Sequence, residues 1–213
     1  ECKEDYKKDQ LKLETHSLID SELYNNLYTV LKEKYGKRIE EIWQDESTDP
    51  KKYVYEDVAI ATYLIILWKQ ERAQKGLTRN QSFVDFGCGN GLLVYILTEE
   101  GHTGYGIDVR ERKIWKKYQP QVDLREKTWQ PADTFRDTDW IIANHSDELS
   151  PWASVAAVKS NYHCNYFLLP CCAFEFSGAK FSKRVKDKSL YMSYIDYLID
   201  ISQNVCGFRQ TQI

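Results

Sequence analysis

Apolar residues recur along this chain with two different periods. Leu18, Ile19, Leu23, Leu27, Val30 and Leu31 are spaced for one amphipathic helix inside a polar, lysine-rich stretch covering residues 1–50. After Asp49 and Pro50, Val54, Val58, Ala61, Tyr63, Leu64, Leu67 and Trp68 predict a second helix over 53–75, with Gly76 as its C-cap. Short apolar runs then alternate with helical ones: strands over 82–86, 105–108, 127–129, 139–143 and 166–169, and helices over 90–100 and 189–202. A basic helix-like stretch leads to Pro120, and residues 205–213 resemble the start of a sixth strand. Strands separated by helices predict an α/β fold with a central, mostly parallel sheet whose ligand lies at the carboxyl ends of the strands. The expected division is an N-terminal helical accessory segment over 1–50 and a catalytic domain over 51–213.

The junction at 83–91 carries the most chemistry. Phe83, Val84, Asp85 and Phe86 run straight into Gly87, Cys88, Gly89, Asn90 and Gly91, and then into a helix. Glycines let the backbone take positive φ and approach a ligand closely, and the helix N-terminus faces the same spot. A dinucleotide fingerprint would place a third glycine where Leu92 stands. Asp85, two residues before the first glycine, would repel a pyrophosphate but could hold a cation. S-adenosylmethionine carries an ammonium and a sulfonium and no phosphate, and it is the expected cofactor. Asp108, ending the second strand beside Val109, is placed to accept both ribose hydroxyls, and Asp133 falls in the loop after the third strand. Tyr53, Tyr55, Glu56 and Asp57 begin the second helix, where Tyr55 is expected at the cofactor and the two acids either cap the helix or serve the site.

Asn144, His145, Ser146, Asp147 and Glu148 leave the carboxyl end of the fourth strand. Asn144 could offer a carbonyl to cofactor or substrate, His145 could act as acid, base or stacking partner, and Asp147 or Glu148 could take a proton from an attacking hydroxyl. In the structural alternative, Ser150 and Pro151 begin a helix whose dipole the two acids complement. Arg110, Arg112 and Lys113 after the second strand, with Lys180, Lys183 and Arg184 after the fifth, are candidate RNA contacts. Phe174, Phe176 and Phe181 interleave with the second group, as base stacking would require.

Composition narrows the reading. Lys plus Arg number 29 against 32 Asp plus Glu, so no protein-wide basic field attracts nucleic acid and any RNA site must be local. The six cysteines come without an apolar leader segment, so reduced thiols in a cytoplasmic protein are expected. His163, Cys164, Cys171 and Cys172 lack zinc-finger spacing, so no metal is expected, and the Cys171–Cys172 pair reads as small buried hydrophobes. No apolar run is long enough for a membrane span.

Four longer blocks carry a resemblance: VYEDVAIATYLIILW at 54–68, FVDFGCGNGLLVYILTEEGHTGYGIDVRERKIW at 83–115, NHSDELSPW at 144–152 and FLLPCCAFEF at 167–176. Together they resemble the tRNA (uracil-2'-O-)-methyltransferase family, which modifies a uridine at the base of the variable loop of serine tRNA. The resemblance implies a Rossmann-like class I methyltransferase fold with an N-terminal helical extension, S-adenosylmethionine as cofactor, serine tRNA as partner and a domain continuing past the residue matching Ile213. Many ribose methyltransferases use a Lys-Asp-Lys-Glu set, which is only partly matched here by Asp147 or Glu148 and Lys180. A noncatalytic S-adenosylmethionine-binding adaptor, and a base or protein methyltransferase, are the alternatives.

Overall fold

The structure is a computed structural model that describes residues 18–43, 50–183 and 187–209. Five parallel strands, β1 (Phe83–Phe86), β2 (Gly104–Asp108), β3 (Leu124–Glu126), β4 (Trp140–Asn144) and β5 (Asn165–Leu169), lie in the order β3-β2-β1-β4-β5. The order reverses direction at β1, so the crevice outside the carboxyl ends of β1 and β4 is where such a sheet holds a ligand.

Strand alternation divides the core. Phe83, Ile142 and Phe167 face one layer, formed by α1 (Ser21–Ile42), α2 (Pro50–Lys75) and α3 (Leu92–Glu99). Val84, Phe86, Ile107, Ile141 and Ala143 face the other, packed on α5 (Ala153–Ser160), Trp129 and Phe135. Because residues two apart share a face, Asp85 points to the same side as Phe83, toward α2. Helix α2 is buried on several sides, with Val54, Val58, Ala61, Leu64 and Trp68 all fully buried, because it lies between the sheet and α1. Asp20 caps α1, its side chain accepting from the Leu23 N–H at 2.8 Å, and Leu31, Tyr35, Ile39 and Trp43 then recur every fourth residue as its buried stripe. This N-terminal helix therefore shares the main core.

Polar contacts fasten the opposite, amino-terminal end of the sheet. Arg79 makes a bidentate pair with Asp139 at 2.6 and 2.8 Å. Glu71 accepts from the Trp140 indole at 3.0 Å and from Gln81 at 2.8 Å.

Several sequence expectations shift. The third strand lies at Leu124–Glu126, three residues earlier than expected, because Leu124 is the buried contact that packs against the glycine turn. The basic stretch shortens to the four-residue α4 (Trp115–Tyr118), held by buried Trp115 and Tyr118. Ser150 and Pro151 do not start a helix: a 3₁₀ turn already runs over Asp147–Trp152, and buried Ser150 meets the Ser146 hydroxyl at 3.2 Å. Residues 205–209 form no strand. Helix α6 (Leu190–Asp200) runs into a π turn over Ile201–Val205, which Gly207 ends at φ +77° with its N–H on the Gln203 carbonyl. Residues 210–213 lie outside the described residues.

Leu31→Ala removes a fully buried side chain from the α1–α2 seam, and should destabilise the whole domain by about 2–5 kcal/mol. Urea unfolding should show a lower midpoint with an unchanged slope. A midpoint that does not move would make α1 a peripheral layer.

Candidate functional site

A cavity of about 540 Å³ opens at the carboxyl ends of β1 and β4, lined by Trp43, Tyr53, Glu56, Asp57, Asp85, Gly87, Cys88, Gly89, Asn90, Leu93, Arg112, Ile114, Asn144 and His145. Such a volume suits a small-molecule ligand. Its floor is the glycine turn. Gly87 (φ +90°) has Ser146 so close that an added Cβ would stand 3.3 Å from the serine Cβ, whereas Gly89 (φ +52°) faces open space. The turn is braced from behind: the Trp115 indole donates to the Gly89 carbonyl at 2.9 Å, and the Gly89 N–H donates to Asp108 Oδ2 at 2.9 Å. Gly91 (φ +79°) has a different duty from the one expected, since a Cβ there would strike Leu124 at 2.5 Å, so it packs against β3 and does not line the cavity.

One wall is acidic. Asp85 is 2% exposed and Asp57 7% exposed. Burial, reinforced by Asp57 and Asp108, pushes the Asp85 carboxyl well above the usual range. Burial and neighbouring Glu56 push Asp57 up to about 7, although a hydrogen bond with Asn90 favours its charged form. Asn90 Oδ1 also accepts from the Leu92 N–H at 2.7 Å across the turn, so one side chain ties the turn to α2. Glu56 and Asp57 are not helix caps, because α2 starts several residues earlier, at Pro50. Among the described residues no donor reaches Asp85 Oδ1 or Asn144 Oδ1, both buried. Two buried acceptors without donors, set beside a glycine cradle, fit a ligand that brings an ammonium group.

Asp108 keeps acceptor capacity after binding Gly89, but Oδ1 also takes the Arg110 N–H at 3.0 Å, and Arg112 stands 3.7 Å away. Its carboxylate thus shapes the turn, at the rim of the crevice, and does not itself line the cavity. Arg112 lines the cavity, so it is not simply part of an outer RNA surface. Tyr55 turns toward α1, where Lys32 sits 4.9 Å above its ring, and Tyr53 takes the place in the lining, stacked on Trp43 at 6.4 Å. Val109 is 67% exposed and does not line the cavity, nor does Asp133, which pairs with Lys127 at 3.2 Å and accepts from the Gln130 N–H.

Across the mouth, His145 Nε2 lies 2.8 Å from Glu56 Oε1. His145 occupies φ +50° and Asp147 φ +46°, left-handed conformations uncommon for residues with a Cβ. The His145 N–H donates to the Leu169 carbonyl at 3.1 Å, which locks this loop to the end of β5. Asp147 and Glu148 are exposed and do not line the cavity. Cys171 is exposed and Cys172 half-buried, so the pair is not a buried apolar filler; the chain bends at Pro170 and turns Cys171 toward Asp147, 3.4 Å from Oδ1. Burial and hydrogen bonds with Cys172 and Asp147 push the Cys171 thiol up to about 12, unlike a nucleophilic cysteine.

The expected RNA residues form two groups. Arg110 and Lys113 follow β2 while Lys180 and Lys183 follow β5, three strand spacings apart, or about 14 Å. They flank the crevice on opposite sides. Lys180 lies 3.8 Å over the Phe174 ring, and Arg184 lies outside the described residues. Among the described residues no helix is long and apolar enough to cross a membrane.

Comparison with known proteins gives the chain its family. A Xenopus laevis protein named probable tRNA (uracil-O(2)-)-methyltransferase is 54% identical over 197 residues, covering 92% of this chain and 29% of its own length. A Drosophila melanogaster protein of the same name is 46% identical, with 97% of this chain and 39% of that one covered. The Schizosaccharomyces pombe tRNA (uracil-O(2)-)-methyltransferase is 36% identical, with 89% and 44% covered. This chain thus spans less than half the length of these curated relatives. Among solved structures, a TehB-like SAM-dependent methyltransferase from Corynebacterium glutamicum is 13% identical with a TM-score of 0.37, covering 81% of this chain and 83% of that one. The magnesium protoporphyrin IX methyltransferase of Synechocystis, solved with bound SAH, is 18% identical with a TM-score of 0.35, covering 66% and 68%. A family model described as predicted AdoMet-dependent methyltransferase matches residues 18–131, more than half of the chain and every strand that floors the crevice except β4, and the chain belongs to that family.

Proposed function

We propose that this chain is the methyltransferase domain of a tRNA-modifying enzyme that methylates the ribose 2'-oxygen of a uridine, in serine tRNA. The observation that carries the reading is the 54% identity, across 92% of this chain, to a relative named for methylating uracil nucleotides of tRNA. S-adenosylmethionine supplies a methyl group on a positively charged sulfur. Asp85 and Asp57 would hold its ammonium group, Asp108 would accept from its ribose hydroxyls, the glycine turn would leave room for it, and Asn144 would help to hold the end that carries the methyl group. Incubating the chain with labelled cofactor and serine tRNA, then digesting to nucleosides, should yield 2'-O-methyluridine. Label on a base or on protein, or cofactor binding with no labelled RNA, would reject the reading.

Within it, His145 takes the proton from the attacking hydroxyl. A carboxylate only accepts, so the contact with Glu56 puts a proton on Nε2, and Nδ1 is the nitrogen assigned to the hydroxyl proton. Proximity supplies much of the remaining rate. His145→Ala should lower single-turnover methylation by about a hundredfold while S-adenosylhomocysteine still binds. Equal loss in Asp147→Asn or Glu148→Gln, with His145→Ala fully active, would move the base to those acids.

The acidic wall makes cofactor binding pH-dependent. Asp57, at about 7, and Asp85, raised well above the usual carboxylate range, keep protons in the fold that the unfolded chain sheds above about pH 4. The native state then binds more protons than the unfolded one, so the ligand-free protein loses stability as pH rises from about 4 through 7. The same ionisation strengthens the attraction for a cation. Calorimetry from about pH 6 to about pH 8 should therefore show rising S-adenosylmethionine affinity with proton release, flattened in Asp57→Asn. Asp108→Ala should weaken binding about tenfold or more through lost charged hydrogen bonds. Flat affinity in the unsubstituted chain, or an unaffected Asp108→Ala, would contradict this placement.

RNA docks across both flanks, through Arg110 and Lys113 on one side and Lys180 and Lys183 on the other, with Arg112 at the cofactor's rim. Charge reversal at Lys180 and Lys183 should reduce the salt slope of tRNA binding by about 0.7–0.9 per lost phosphate contact and leave cofactor affinity untouched. An unchanged slope would remove the β5 flank from the interface.

A further inference from the structure

The mechanism leaves three polar side chains unused beside the crevice. Asp147 follows β4, Cys171 and Cys172 follow β5, and one ligand atom from each lies within 4.8 Å of the other two. Their approach is built by the fold. Parallel pairing sets Asn144 opposite Leu169, and the His145 N–H bond to the Leu169 carbonyl carries the two strand ends forward together. The left-handed turn at Asp147 brings its carboxylate to the bend after Pro170, where two successive cysteines present both sulfurs to it and do not alternate as they would in a strand. None of the three lines the cofactor cavity.

We propose that Asp147, Cys171 and Cys172 bind one thiophilic divalent cation, Zn²⁺ being the natural occupant, on the outer side of the cofactor crevice. Two sulfurs and one carboxylate select such a metal over Mg²⁺ or Ca²⁺, which demand six or more oxygens. Around a tetrahedral zinc, sulfur and oxygen ligands stand about 3.5–3.8 Å apart, so the cluster closes on the metal with side-chain rotation alone. Each thiol gives its proton to solvent as its sulfur bonds the cation, and the carboxylate contributes the third bond. The fourth position opens to solvent, because Asp147 and Cys171 are exposed. Three protein ligands with an open vertex can accept an oxygen or nitrogen of an incoming nucleotide, whereas closed structural sites cannot.

The inference is independent of the RNA reading and is tested without RNA. Under reducing, anaerobic conditions the full chain should bind one Co²⁺ with the intense near-ultraviolet absorption of sulfur–cobalt bonds, and Zn²⁺ should displace it. Cys171→Ser and Cys172→Ser should each weaken binding about a hundredfold and Asp147→Asn about tenfold, as loss of one ligand in three or four requires. Cys206→Ser, whose thiol meets Ser154, should bind normally. Retained S-adenosylhomocysteine affinity in the variants shows that the fold survives. A chain that binds no Co²⁺ at micromolar concentration, or a Cys171→Ser/Cys172→Ser double variant that binds it as tightly as the parent, overturns the proposal.

Discussion

Asp85 lies in a strand in which Phe83, Val84 and Phe86 are almost completely buried, and it is itself only 2% exposed. A carboxyl group in that setting destabilises the ligand-free fold, and an apolar side chain would pack there with less loss. What it does is fix the character of the crevice. Pleating aims it at α2, α2 answers with a second buried acid, Asp57, and the glycine turn that follows leaves room for a ligand above both. Holding these groups together is a strain the rest of the domain must support, through the Trp115 brace, the Asn90 tie and the Asp108 contact to the Gly89 N–H. A cation relieves it.

Support comes from the helical layer on the same face. Because α1 lies over α2, Trp43 at its end and Tyr53 near the start of α2 stack at the mouth of the cavity. The N-terminal helix thereby contributes to a site whose chemistry comes from the sheet. On the other side of the mouth, the β4 loop is held in two left-handed residues and locked to β5, so His145 meets Glu56 across the opening. Core packing, loop strain and site geometry are coupled there.

The places of the glycine turn, of Asp85 in β1, of Asp108 at the end of β2 and of the Asn144–His145 loop after β4 were legible in the sequence because the signals are local: strand, acid, glycine and helix follow one another within a few residues. The mostly parallel sheet flanked by helices followed from the alternation of strand-like and helical runs, whereas the order β3-β2-β1-β4-β5 is set by tertiary packing. What escaped is tertiary. Nothing in the local pattern says that Trp43, thirteen residues before Glu56, returns to the cavity, or that Tyr53 and not Tyr55 faces it, since that choice is set by the rotation of α2 between its two neighbours. The place of β3 was missed because its signal is a single buried leucine. The two basic groups looked like one surface because sequence shows their composition and not the strands between them. Cys171 and Cys172 looked like core because exposure depends on the bend after Pro170.

The central claim is that the acidic crevice at the ends of β1, β2 and β4 is the cofactor site. A crystal structure with S-adenosylhomocysteine tests it most directly. The account predicts ribose hydroxyls on Asp108, the ammonium group facing Asp85 and Asp57, and the sulfur directed toward Asn144 and His145. Electron density for the ligand in the groove beside β5 and α6, or a ribose turned away from Asp108, would contradict it.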